Sequence, residues 1–199
     1  LAYGPTLRWV SSMLNSMDRR PVILDAGSGG GDMLRKIAVL MSAKNRAAEL
    51  VGVDLNPWSK KAAVDMTDGK PGAENISYKT ADIFTYQHER PIDMIVSSLF
   101  THHLPDLELI RFLKWMDKTA QKGWFINDLH RHIVPWAFIK YTTIAFSDNR
   151  LIRHDAPVSV ARAFKARDWQ RLLKEAGIPQ ERVQIFWHFP FRYCVSCRK

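Results

Sequence analysis

Hydrophobic and polar positions switch between two periods along this chain. Residues 7–17, LRWVSSMLNSM, set apolar side chains three and four apart and predict an amphipathic helix. PVILDAG is a short β-branched run ending on an acid and a glycine, and a helical pattern over residues 32–43 follows it. ELVGVDLNP predicts a second strand, with Pro57 opening the next helix. KPGAENISYKTADIF holds a loop and a third strand, and PIDMIVSSLFTHHL a fourth whose unbroken apolar run fits burial on both faces. Residues 105–119 read as a helix capped by Asp106, and GWFINDLH as a fifth strand. Strands alternating with helices predict an α/β, Rossmann-like doubly wound fold on a mostly parallel sheet.

Two stretches depart from the alternation. Residues 130–167 form a long excursion rich in aromatic and basic side chains, which leads into a helix, ARDWQRLLKEAG, closed by Gly177 and Pro179. RVQIFWHFPFRYCVSCR is two strand-like runs broken by Pro190 and predicts a C-terminal antiparallel hairpin. No internal repeat or linker appears, so residues 1–199 are expected to form one domain with a lid-like insertion at 130–167.

Composition narrows the class. With 46% hydrophobic and 25% charged residues the chain fits an ordinary globular domain, not a collagen-like or low-complexity one. No stretch reaches the roughly 20 apolar residues that span a bilayer. The net charge of +9 raises the prospect of a polyanionic partner. Yet the basic residues occur as pairs such as Arg19-Arg20 and Lys60-Lys61, which describes a solvated basic surface and disfavours nucleic acid. Cys194 and Cys197 lie three apart in a β-rich run, so they point to opposite faces and are expected to stay reduced, as suits a cytoplasmic compartment.

The chemistry concentrates in VILDAGSGGGD. Asp25 ends a strand, Gly27, Gly29 and Gly31 make a turn, and a helix begins at about Asp32. Such a turn lets a ligand approach backbone N–H groups at a helix start. Dinucleotide folds use the same device, but Asp32 stands where their fingerprint needs glycine or alanine. Two acids around the turn would repel a pyrophosphate and welcome a cation. S-adenosylmethionine, with its sulfonium and α-ammonium, is such a ligand.

On these residues the chain resembles the class I S-adenosylmethionine-dependent methyltransferases of the small-molecule type, such as the ubiquinone and menaquinone enzymes and natural-product tailoring enzymes. The family's first motif, an acid followed by G-x-G-x-G, matches DAGSGGG and implies cofactor contacts from Asp25, Ala26, Gly27, Ser28, Gly29 and Gly31, with Asp32 at the edge. The resemblance further implies that Asp54, with Leu55, holds the ribose, and that Asp82, flanked by Ala81 and Ile83, meets the adenine. It also places Ser97 near the methionine part of the cofactor, and Asp93 at a position where an acid is usual.

In this fold the acceptor arrives over the ends of the first, fourth and fifth strands, where His102, His103, Asn127, Asp128 and His130 converge by topology. His102 and His130 are the candidate bases, Asp128 an orienting acid, and His103, Asn127, Arg131, Trp136 and Tyr141 candidate acceptor contacts. No metal is expected: metal-dependent relatives need carboxylate and amide oxygens at the ends of the fourth and fifth strands, and here Asn127-Asp128 follow the fifth but serines and histidines the fourth. The expected activity is methyl transfer to an oxygen or carbon of a small, apolar or aromatic acceptor. An RNA-directed enzyme of the same fold, a dinucleotide oxidoreductase and a non-catalytic cofactor-binding module are the alternatives; oligomeric state is left open.

Overall fold

The computed structural model describes residues 2–131 and 163–199. Seven strands form one sheet in the order β3-β2-β1-β4-β5-β7-β6. They are β1 (Val22–Ala26), β2 (Glu49–Asp54), β3 (Ile76–Thr80), β4 (Met94–Ser98), β5 (Gly123–Leu129), β6 (Val183–His188) and β7 (Arg192–Arg198). The first five run parallel, and β7 pairs antiparallel with both β5 and β6. Among the described residues the α-helices are α1 (Gly4–Leu14), α2 (Asp32–Ala43), α3 (Pro57–Thr67), α4 (Asp106–Thr119) and α5 (Ala166–Glu175).

Alternate residues of the central strands divide between two cores. Ile23, Met94, Val96 and Phe125 pack with the apolar stripes of α1 and α2, among them Trp9, Leu14, Leu34 and Ile37. Leu24, Ile95, Trp124 and Ile126 pack on the other face with Phe112, Leu113, Trp169 and Leu172 from α4 and α5. This two-sided burial is why the parallel strands read as continuous apolar runs. Asp106 is the first residue of α4 rather than its cap, which is Pro105, and the Asp106 carboxylate pairs with Arg171 of α5 at 2.5 Å.

Cys194 and Cys197 fall in opposite cores as free, buried thiols, and burial pushes them up to about 12 and about 11. At the lower end of the sheet Asp93, almost fully buried, accepts from Val22 N at 2.9 Å and pairs with Arg19. It fastens the start of β1 and lies far along the sheet from the glycine turn.

Candidate functional site

Strand order reverses between β1 and β4: β2 and β3 are laid down to one side, β5 and the hairpin to the other. The connections leaving the carboxyl ends of β1 and β4 therefore part, and a crevice opens above them. The turn after β1 lines it. Gly27, Gly29 and Gly31 all have positive φ (73°, 49° and 76°), the left-handed region that side chains disfavour. The turn is tied to β2, with Gly27 N donating to Val53 O at 2.9 Å and Gly29 N to Asp54 Oδ2 at 2.9 Å. Asp54 Oδ1 also accepts from Asn56 N at 2.8 Å, so this carboxylate is fixed in direction and keeps lone pairs for further donors.

A cavity of about 360 Å³ follows, lined by Gly27, Asp54, Leu55, Ala81, Asp82 and Ile83 together with residues that the sequence did not single out. These are Phe84, Phe100, Leu104 and, from α4, Glu108 and Arg111. The Arg111 guanidinium lies 3.9 Å from the centre of the Phe84 ring. Residues 104, 108 and 111 are spaced at helical period, a signal present in the sequence; which way the stripe faced was not. Asp82 Oδ1 accepts from Phe84 N at 2.9 Å and shapes that corner.

Asp25 is only 2% exposed, and its Oδ1 has no hydrogen-bond partner among the described residues. Burial, reinforced by the charge of Asp54, pushes it up to about 7. Ser98 Oγ and Asn127 Oδ1 are among the other buried polar atoms that have no partner among the described residues. Ser98 and Asn127 are register partners, and strand parity puts them with Asp25 on the α1/α2 face. Buried polar groups normally find partners. Three that lack one, grouped on adjacent strand ends, suit a ligand that brings several N–H donors.

Several expected contacts are placed otherwise. Ser97 faces the opposite side of β4, fully buried, and its hydroxyl donates to Ala26 O at 2.9 Å; Ser98, one residue on, has the orientation expected of it. Asp32 makes no cap hydrogen bond and turns outward to Arg35. Asn127 lies beneath α1 at 1% exposure and donates to Ala2 O at 2.7 Å and Thr6 Oγ1 at 3.3 Å, so it anchors the first helix instead of meeting an acceptor from outside. His130 packs edge-on against Tyr193, ring centres 4.7 Å apart, and lines neither described cavity. Trp136 and Tyr141 lie outside the described residues.

His102 and Asp128 do come together. Asp128, fully buried at the end of β5, faces His102 Nδ1 across 2.6 Å from its Oδ1. Burial alone would raise Asp128, but the His102 ring, the Thr101 hydroxyl and Leu129 N outweigh it and hold the carboxyl below its ordinary value. The His102 ring and its neighbour His103, tilted at 40° with centres 4.1 Å apart, line a second cavity of about 450 Å³ with Leu104, Pro105, Arg131, Phe164, Asp168 and Arg171. Arg131 spends one guanidinium nitrogen on Asp168 at 2.5 Å. Leu104 belongs to both cavities, so they adjoin across a single side chain.

A family model described as a methyltransferase domain matches residues 5–178. No curated protein matches the sequence. Among solved structures the chain is similar to the plantazolicin methyltransferase BpumL, at 14% identity and TM-score 0.72, covering 100% of this chain and 84% of that one. It is also similar to magnesium protoporphyrin IX methyltransferase from Synechocystis PCC 6803, at 14% identity and TM-score 0.63, covering 99% and 81%. A possible exported protein from Bordetella parapertussis shares 16% identity at TM-score 0.71, covering 99% of this chain and 66% of that one.

Proposed function

From the premise that this chain belongs to the methyltransferase-domain family and is an S-adenosylmethionine-dependent methyltransferase, we propose that it methylates an oxygen or an acidic carbon of a small acceptor held against His102. The observation that carries this is the buried His102–Asp128 pair facing a cavity that adjoins the cofactor cavity at Leu104.

The cofactor supplies a methyl group on a positively charged sulfur, already activated for displacement. Its ribose hydroxyls fit the fixed carboxylate of Asp54, and its adenine the apolar walls of Ala81, Ile83 and Phe84 beside Asp82. Its ammonium suits the carboxylate of Asp25 just before the glycine turn, whose Oδ1 is unpartnered among the described residues. What remains for the protein is alignment, exclusion of water and removal of one proton. His102 donates Nδ1–H to Asp128, which leaves Nε2 as the proton acceptor toward the second cavity. Leu104, Pro105 and Phe164 give the acceptor an apolar side, and the unspent guanidinium donors of Arg131 suit an acidic group on it. The described wall is thus more polar than the apolar acceptor expected from sequence requires.

The direct test offers methyl-labelled cofactor with neutral phenols, carboxylated phenols, 1,3-dicarbonyl carbon acids, amines and RNA. Label in the phenols or carbon acids is expected; label confined to amines or RNA would reject the assignment. Asp54→Ala should weaken S-adenosylhomocysteine by about 1–3 kcal/mol through lost charge-assisted bonds, as measured by calorimetry.

Cofactor binding should also depend on pH. With Asp25 at about 7 the empty site holds a proton for about half the time at neutrality. A bound cation favours the ionised carboxyl and expels that proton, so affinity rises with pH up to about 7 and levels off above. The same shift sets stability: the unfolded carboxyl ionises near 3.8, so folding is penalised increasingly between there and about 7. The penalty reaches about 4 kcal/mol above that range. Calorimetry at pH 6 in buffers of different ionisation enthalpy reads the released proton; none released would remove Asp25 as counter-ion.

A further inference from the structure

The connection from β4 to α4 is bent in a way that its sequence alone does not favour. Leu99 adopts φ +55°, left-handed backbone for a branched residue, and Thr101–His103 then close a single 3-10 turn. Such a conformation persists where surrounding contacts over-determine it. Here Leu99 N donates to Asn127 O at 3.1 Å, and Asp128 holds the turn that follows. Its Oδ2 accepts both the Thr101 hydroxyl and the His102 backbone N–H, the latter at 3.1 Å. Its Oδ1 accepts His102 Nδ1 at 2.6 Å and Leu129 N at 2.7 Å. All four sites of the carboxylate are filled, and Thr101 is fully buried with a hydroxyl proton that has no other acceptor among the described residues.

We propose that Thr101 is a positioning residue that locks the Asp128 carboxylate so that His102 stays in one tautomer with Nε2 turned to the acceptor cavity. The hydroxyl is the only side chain on Oδ2 among the described residues, whereas Oδ1 already serves the ring. Remove it and Oδ2 keeps only the His102 backbone amide, so the carboxylate, otherwise held through Oδ1 by Leu129 N and the ring, gains freedom to rotate about its Cβ–Cγ bond and carry Oδ1 off its line to Nδ1. Thr101 precedes the histidine it serves, so one residue supplies both the turn that presents the ring and the bond that orients the acid behind it. Serine supports this role and valine, of nearly the same shape, does not.

This rests on His102 as the base, but the test does not need the acceptor. Nitrogen-15 and proton NMR of the whole protein saturated with S-adenosylhomocysteine reads the His102 ring, assigned by its loss in His102→Gln. The parent should give one protonated and one bare ring nitrogen, with a sharp, far-downfield Nδ1–H proton. Thr101→Val should broaden or abolish that proton and draw the two nitrogen resonances together, and Thr101→Ser should restore both. A His102 spectrum equal to the parent's in a folded Thr101→Val protein would overturn the proposal. Where that variant does not fold, Thr101→Ala against Thr101→Ser decides in the same terms. A parent with the locked tautomer that labels no acceptor would count against His102 as base while leaving the Thr101 assignment standing.

Discussion

Gly27→Ala should reduce S-adenosylhomocysteine affinity at least a hundredfold and lower the melting temperature. A Cβ built on Gly27 falls 2.5 Å from the Phe100 ring, whose edge-to-face packing on Phe112, centres 5.4 Å apart, keeps it from yielding. The φ of +73° adds the usual cost of left-handed backbone for a side chain, about 1–2 kcal/mol. The turn can relieve the clash only by withdrawing from Val53 or by driving Phe100 into the cofactor cavity that both residues line. Gly29→Ala is the control: its φ is +49° but nothing lies within 4 Å of its Cβ, so backbone strain acts there without a protein clash. Calorimetry and thermal melts on the two variants separate the effects. Equal cofactor affinity in Gly27→Ala and the parent would mean that the cavity beside Phe100 is not the cofactor's.

His102→Gln should slow methyl transfer by about 10²–10⁴-fold, the range spanned by general-base catalysis, while S-adenosylhomocysteine binding stays near normal. Glutamine keeps a polar group in the cavity but offers no nitrogen of suitable basicity. Asp128→Asn should fall in the same range, because an amide nitrogen in place of Oδ1 or Oδ2 faces a donor at every position that the carboxylate now fills. Its stability should drop as well, since buried donors lose acceptors at about 1–3 kcal/mol each. Single-turnover transfer of label to the best acceptor of the panel measures the first effect. Full rate in His102→Gln would place the base elsewhere, whereas His130→Ala, whose ring packs on Tyr193, should leave the rate within a few-fold.

Much of the cofactor side was legible because its signals are local. A glycine triplet after Asp25, and acids at Asp54 and Asp82 near the ends of the next two strands, follow from sequence order in a parallel sheet. Ser97 and Ser98 differ by parity: adjacent strand residues face opposite ways, and nothing local fixes which serine of the pair lies on the α1/α2 side. Asp32 stands in the first turn of α2, where Arg35, three residues on, gives its carboxylate a helical partner.

The acceptor side was legible only as a set of candidates. Five polar side chains at the ends of β4 and β5 were nominated, and the two strands' register chose among them. Asp128 turns to His102, while Asn127, one residue earlier, turns to α1. Thr101 carried no signal, because a threonine before two histidines means nothing until the β5 carboxylate stands behind it.

Periodicity, the succession of strands and helices along the chain, and the spacing of glycines and acids were thus fixed by the chain's own covalent order, since each depends on neighbours a few residues apart. Which face each strand end presents, which stripe of α4 walls the cofactor cavity, and which histidine backs onto an acid were decided by packing. Those contacts join residues tens of positions apart, and only burial of the sheet between two helical layers fixes their register.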